Sequence, residues 1–259
     1  MRPAGSALAG LLLAAWAASA AEEPIAPADK RSGREFQSPA TRAMQDDDFA
    51  NPGMLWVAKG EELWGRPPAA GAAACAGCHG DARASMRGAA ARHPAFDPLA
   101  GRVVNLEQRI NRCRERQGAP ALAYESDELL ALTAFVAHQS RGLPIDVEVE
   151  GPARPSFEAG RRLYHARLGQ LNLSCAHCHD RNWGKRLRSE QLSQGQATGY
   201  PIYRLEWQAA GSLHRRLRAC MAGVRAEPFE PGAREYVDLE LYLAWRARGL
   251  AVETPAVRR

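Results

Sequence analysis

The sequence predicts an all-α protein built of two tandem domains related by internal duplication, with little β structure. Three observations point there. The chain repeats itself once, at an offset of 100 residues and then of 107. Its apolar residues recur at helical spacing, as in Leu106, Ile110 and Cys113 or Leu213, Leu217, Cys220 and Val224. Sustained period-two alternation, the mark of a half-buried strand, is scarce. A length of 259 residues suits one large domain or two small ones, and the repeat decides for two. A hydrophobic share of 46% beside 24% charged residues is ordinary for a globular chain, which excludes disordered, collagen-like and coiled-coil classes. No apolar run reaches the ~20 residues of a membrane-spanning helix.

Taken in order, the chain opens on Arg2, an apolar run from Leu8 to Trp16, and the small-x-small triplet Ala18-Ser19-Ala20. These are the three parts of a Sec-type signal peptide over residues 1–20, too short for a stable anchor. It implies export, to the periplasm of a bacterium, where unpaired thiols need a reason to exist. Residues 21–50 are polar and rich in Pro, Asp and Arg, an arm that is ordered only if it packs on something.

The first domain, 51–150, carries Gly60-Glu61-Glu62-Leu63-Trp64 ahead of Cys75-Ala76-Gly77-Cys78-His79. The second, 151–259, carries Gly160-Arg161-Arg162-Leu163-Tyr164 ahead of Cys175-Ala176-His177-Cys178-His179. Arg109 to Cys113 then matches Arg216 to Cys220, and each lone cysteine precedes a Gly, Gly142 or Gly249, by 29 residues. Closing helices are predicted over about 126–141 and 233–248, with basic last turns and the glycine just beyond. The seven extra residues of the second copy fall within 180–212, around Thr198 to Tyr203. Between the copies, Pro144, Pro152 and Pro155 flank Ile145-Asp146-Val147-Glu148-Val149, a linker with room for a short strand.

Cys-x-x-Cys-His is the attachment motif of c-type haem. Two thiols must reach two vinyl groups on one porphyrin edge, and the next residue must bring an imidazole to the iron. A redox dithiol or half a zinc site would explain one copy. Two copies in equivalent places of an exported helical chain point instead to two covalently attached haem c groups in cytochrome c-like domains. Cys75, Cys78, Cys175 and Cys178 are then the attachment residues, and His79 and His179 the first axial ligands. A haem also supplies the apolar face that a domain of roughly 100 residues otherwise lacks.

For the second axial position, methionine is common. Met221 is placed for it, but its counterpart in the first copy is Arg114, whereas Cys220 has Cys113. His93, His138, His165, His177 and His214 have no counterparts either. The shared residue is cysteine, which assigns His79 and Cys113 to haem 1, and His179 and Cys220 to haem 2. A Cys113–Cys220 disulfide is the competing use of those thiols. Thiolate ligation favours ferric iron and lowers the potential, so something beyond simple relay is expected. Arg215, Arg216, Arg218 and Arg225 surround Cys220. Guanidinium groups favour thiolate and bind sulfur or phosphorus oxyanions. They could equally solvate a helix face or pair with haem carboxylates, and Arg109, Arg112, Arg114 and Arg116 flank Cys113 in the same way.

The two haem motifs, the lone cysteine of each copy, Gly199-Tyr200-Pro201-Ile202-Tyr203 and the stretch from Arg216 and Cys220 to Arg225-Ala226-Glu227-Pro228-Phe229 together resemble the SoxA family. The resemblance spans about residues 45 to 252. It implies a dihaem cytochrome c subunit of a periplasmic thiosulfate-oxidising complex. Such a subunit works with the monohaem cytochrome SoxX and joins thiosulfate to a cysteine of the carrier protein SoxYZ, passing electrons to haem. It further implies that Cys220 is the catalytic sulfur, carried as a persulfide, and that Arg216 contacts substrate; Arg225 joins them by proximity. A dihaem cytochrome acting only in electron transfer is the alternative from another class. A dihaem peroxidase is disfavoured by the two cysteine ligands. A modest formal charge of +5 and the lack of a binding motif argue against nucleic acid.

Overall fold

The structure is a computed structural model that describes residues 25–187 and 189–259; the leader expected over 1–20 lies outside them. Helices dominate, as expected, and they run in two series. The first comprises α1 (Pro39–Asp46), α2 (Met54–Gly65), α3 (Cys75–His79), α4 (Ala82–Ser85), strands β1 (Ala95–Asp97) and β2 (Arg102–Val104), α5 (Leu106–Arg116) and α6 (Asp127–His138). The second comprises α7 (Arg154–His165), α8 (Cys175–His179), β3 (Arg186–Leu187), β4 (Glu190–Gln191), β5 (Ile202–Arg204), β6 (Ala209–Gly211), α9 (Leu213–Gly223), α10 (Arg234–Arg246) and β7 (Ala256–Arg258).

Each series is clamped by one close helix crossing. α2 lies on α6, and α7 on α10. A Cβ added at Gly60 would collide with the Ala131 carbonyl, and one at Gly160 with the Asp238 carbonyl. Only glycine lets backbones approach so closely. The helices that carry the lone cysteines, α5 and α9, are capped alike: Asn105 accepts from the Gln108 N–H, and Ser212 from the Arg215 N–H. α6 begins the same way at Ser126.

The expectation of little β structure needs correcting. Among the described residues there are seven short strands in three small sheets. β1 pairs antiparallel with β2, and β5 with β6, each hairpin leading directly into one of these helices, α5 or α9. The sheet signal is weak in sequence because the strands are two or three residues long, below the length at which alternation shows. Within 180–212, the span that holds the second copy's added residues, β3 and β4 form a hairpin closed by Gly184 N–H to Leu192 O and Leu192 N–H to Lys185 O.

Two segments read as connections are part of the core. Ile145, Val147 and Val149 of the inter-copy linker are buried in the larger apolar cluster, beside Phe157, Tyr236 and Trp245. The linker forms no named strand, only a bridge between Pro144 and Ala251. It is held to the C-terminal segment by Ile145 N–H to Leu250 O and Gly249 N–H to Ile145 O. The N-terminal arm does pack. Gln45 Oε1 accepts from the Val257 N–H, Asn51 Nδ2 donates to the Pro255 carbonyl, and β7 adds to β5 as a parallel edge.

Candidate active site on helix α9

Both Cys-x-x-Cys-His motifs form a single five-residue helical turn, α3 and α8, so both thiols and the imidazole project from one short element. All six cysteines are free thiols, and the Cys113–Cys220 disulfide is not formed. Burial pushes the Cys75 thiol up, with the Cys113 and Cys78 sulfurs adding to it. In the second series burial raises Cys178 and pushes Cys175 up to about 12, and the next contribution to both comes from Cys220. Electrostatically, then, Cys113 acts on Cys75 in the first copy and Cys220 on both motif thiols in the second.

The residues fit a haem. His179 Nδ1 lies 2.8 Å from the Ser193 carbonyl, which fixes the tautomer and leaves Nε2 for a metal. A Cβ at Gly195 would stand 2.9 Å from the His179 ring, so the backbone seats that imidazole closely. His79 stands exposed with its ring centroid 5.7 Å from that of Trp64. The rival axial ligands are engaged elsewhere. Met221 Sδ accepts from the Tyr236 hydroxyl at 3.3 Å. His93 and His138 bind the carbonyls of Ala89 and Thr254, His165 the Tyr242 hydroxyl, His177 Ser174, and His214 the Gly232 N–H.

Arginine, which by sequence alone could not distinguish the copies, does so once its partners are seen. Arg109 and Arg112 on α5 each lie 3.0 Å from Asp97 Oδ2, a carboxylate only 3% exposed at its side chain. Burial acts to raise Asp97, but the Leu99 and Ala100 N–H groups, Arg112 and Arg109 together hold it below the usual carboxylate range. On α9, Arg215 stacks on Trp207, 4.3 Å from its ring centroid, and reaches Glu125. Arg218 binds the Phe229 carbonyl and Glu230. Arg225 is exposed on the loop after α9, at a left-handed φ of 57°, and donates to Gln170 at 3.4 Å. Arg216 alone among the α9 arginines makes no side-chain hydrogen bond or ion pair with another described residue. One helical turn from Cys220, it is held above the usual arginine range chiefly by that sulfur's charge, with Tyr200 and more distant carboxylates adding.

Arg109 and Arg216 are equivalent positions, and so are Asp97 and Arg204, all at the offset of 107. Where the first copy neutralises its arginine with Asp97, the second carries Arg204, which turns away to Glu206 at 2.9 Å. The expected triad is thus only partly gathered. Arg216 and Cys220 stand one turn apart on α9, and Arg225 lies beyond the end of that helix, in the loop that follows. Sequence reading missed Tyr200, a half-buried phenol raised by desolvation and then acted on by Arg216 and Cys220. Its signal was the Gly199-to-Tyr203 stretch, read only as a family mark. Ser193 was missed too, and no local pattern announces a backbone carbonyl.

Comparison with known proteins shows the family. The SoxA/TsdA cytochrome c domain model matches twice, over residues 59–145 and 159–252. The SoxA subunit of L-cysteine S-thiosulfotransferase from Rhodovulum sulfidophilum is 43% identical, over 88% of this chain and 80% of its own. That of Pseudaminobacter salicylatoxidans is 42% identical with the same coverage. The crystal structure of SoxXA from P. pantotrophus superposes with a TM-score of 0.83 at 37% identity, covering 88% of this chain and 86% of that one. With c-type haem motifs in the two matched segments and SoxA subunits aligned along most of its length, the chain belongs to the SoxA/TsdA cytochrome c family.

Proposed function

We propose that this chain is the SoxA subunit of a periplasmic L-cysteine S-thiosulfotransferase, exported by a leader over 1–20 and assembled with SoxX. In this reading it is a duplicated chain of two cytochrome c domains, 51–150 and 151–259, behind the arm at 21–50. Each domain holds one haem c, at Cys75 and Cys78 with His79 and Cys113, and at Cys175 and Cys178 with His179 and Cys220. When bound, haem supplies the one-electron acceptor that the coupling of two sulfurs needs. The substrates are thiosulfate and a cysteine thiol of SoxYZ.

The observation that carries the reading is the free guanidinium of Arg216 beside Cys220. Thiosulfate is a dianion, and an arginine without a carboxylate partner binds it best. Arg216 fixes the sulfonate end, with Arg225 in the loop beyond α9 meeting the incoming anion, and so directs the outer sulfur toward the Cys220 sulfur. An S–S bond then forms between them with loss of two electrons, which would leave one at a time through the haem beside Cys220 and pass on to SoxX. The thiolate of the carrier attacks the outer sulfur, takes the thiosulfonate group, and returns the Cys220 sulfur as thiolate. Net, thiosulfate and a carrier thiol give a cysteine S-thiosulfonate, two electrons and one proton.

A Cys220→Met chain, produced with SoxX and assayed with SoxYZ, is expected to keep both haems and lose thiosulfate coupling. Full coupling by that variant would remove Cys220 from the mechanism. Mass spectrometry of the parent chain should find haem on both motif peptides, with an extra sulfur on the Cys220 peptide and none on the Cys113 peptide.

A further inference from the structure

Arg246, the last residue of α10, is a buried charge that the reaction above does not use. Its Nη2 lies 2.7 Å from Asp180 Oδ1 and donates to the Gln194 carbonyl at 3.2 Å. Its guanidinium carbon sits 4.5 Å from the centroid of the Tyr164 ring, and the Tyr164 hydroxyl donates to the same Asp180 oxygen at 2.8 Å. Arg246 is 3% exposed and Tyr164 0%, while its Nε and Nη1 are buried without a hydrogen-bond partner. Asp180 caps α8 and directly follows His179. A buried ion pair of this kind adds little net stability over apolar packing, because both ions are desolvated. Its persistence calls for another use.

The first copy shows what the pair replaces. At the equivalent positions it has Gly80, Gln139 and Trp64. Trp64 Nε1 donates to the Gly80 carbonyl at 3.1 Å, and Gln139 Nε2 to the Phe135 carbonyl. The tie between the motif helix and the first helix of the copy is therefore kept, and the two charges are added only in the second copy. Both charges sit beside the imidazole that would hold the iron: Asp180 is the residue after His179, and Arg246 is ion-paired to Asp180.

We propose that Asp180 and Arg246 set the reduction potential of the haem at Cys175, Cys178 and His179 independently of the other haem, Arg246 raising it and Asp180 lowering it. The physics is Coulomb's law in a poorly screened interior. Reduction removes one positive charge from the iron, so a fixed cation nearby favours the ferrous state and a fixed anion the ferric. Thiolate ligation alone would leave both haems low; a buried cation lifts the one beside the sulfur chemistry, and Asp180 limits and aims that lift. These are positioning and tuning residues, and they touch no substrate.

The proposal rests on the reading that each motif carries a haem, and its test separates the two. The haem-loaded full chain, in complex with SoxX, is titrated with electron paramagnetic resonance detection. Cys113→Met and Cys220→Met variants assign the two signals beforehand. Arg246→Gln is expected to lower the potential of the second centre, by about tenfold in the ferrous-to-ferric ratio or ~59 mV. Asp180→Asn is expected to raise it comparably, Arg246→Lys to keep it near the parent, and none to move the first centre. Tyr164→Phe, which leaves both charges in place and strips a hydrogen bond from the carboxylate, should lower it by less. Shifts of the same sign for the two neutralised variants, equal shifts at both centres, or no shift in any variant would overturn the proposal. If either neutralised variant fails to load haem, an unmoved potential in Tyr164→Phe overturns it alone. A parent chain with no haem on the Cys175 peptide would instead refute the haem assignment.

Discussion

Asp97 closes β1 and Arg204 closes β5, each just before the hairpin turn that leads to α5 or α9. With Asp97 present, Arg109 and Arg112 are taken up by a buried carboxylate; with Arg204 in its place, Arg216 keeps its donors. Replacing Arg204 by Asp should recreate the clamp and take up Arg216. Thiosulfate coupling is then expected to fall roughly 10- to 100-fold, the ~1.5–3 kcal/mol of a hydrogen bond to a charged group, while the haem spectra stay unchanged. Coupling at the parent rate would show that Arg216 does not need its freedom. Glu107, on α5, gives a prediction in pH. It is buried beside Glu240, and burial first, then that neighbour's charge, push it up to about 7, well above its ordinary 4.5. Glu107, Glu240, His93 and Thr133 line a small cavity, and His214 Nε2 lies 3.2 Å from Glu240. The sign follows from linkage: between pH 4.5 and 7 the folded chain holds a proton that the unfolded chain has released, so stability falls as pH rises through that window. The slope should total on the order of 3 kcal/mol. Glu107→Gln should flatten it, gaining stability over the parent at pH 8 more than at pH 5 in denaturant melts of the haem-loaded chain. Parallel curves for the two proteins would place the titration elsewhere.

The elements tell the same story through their contacts. The α7–α10 crossing passes through Gly160, whose absent side chain is occupied by the Asp238 backbone. A backbone atom cannot step aside as a flexible side chain can. Gly160→Ala is therefore expected to cost about 1–3 kcal/mol or more, as overpacking does, and Gly60→Ala the same at the α2–α6 crossing. Gly65, at the end of α2, has open space where a Cβ would stand and an ordinary φ. Gly65→Ala should be neutral or stabilise by about 0.4–1 kcal/mol, by restricting the unfolded chain. Thermal melts of the three variants decide it, and equal shifts at Gly65 and Gly160 would show that the crossings are looser than they look. The glycines are legible in the sequence only as an offset: Gly60 and Gly160 stand alike ahead of their motifs. That they are crossing points rather than turns depends on Ala131 and Asp238, about 70 residues away. The hairpins fared worse, because two- and three-residue strands carry no periodicity, and their existence is decided by the helix each one feeds.

Across the whole molecule, what could be read in advance was what repeats. The helices, both motifs and the lone cysteine that accompanies each of them recur at fixed offsets, and the structure folds the two motifs into matching five-residue helical turns. What could not be read was what differs between copies at matched positions, Asp97 against Arg204 or Gly80 against Asp180, since a difference means something only once its spatial partner is known. The arm was illegible for a related reason: its polar residues bond to partners some 160 to 220 residues distant. Gln194 shows how. Its side chain, 0% exposed, accepts from the Arg31 N–H at 2.8 Å and donates to the Asp29 carbonyl at 2.9 Å, while its own carbonyl accepts from Arg246. One residue therefore joins the arm to the charged network beneath the second motif. Phe36 and Arg31 also pack on Trp183, with the Arg31 guanidinium 5.7 Å from its ring centroid. Gln194→Ala would strip the side-chain partners from two backbone groups of the arm, the Arg31 N–H and the Asp29 carbonyl, at about 0.5–1.5 kcal/mol for each hydrogen bond lost. The arm should then lift before the core does. Limited trypsin digestion of the haem-loaded variant is expected to cut first after Lys30, Arg31 and Arg34, at sites slow in the parent, with the remaining chain intact and both haem spectra unchanged. Should cleavage begin instead within the helices, or the arm resist as in the parent, Gln194 would not be the fastening that its hydrogen bonds indicate.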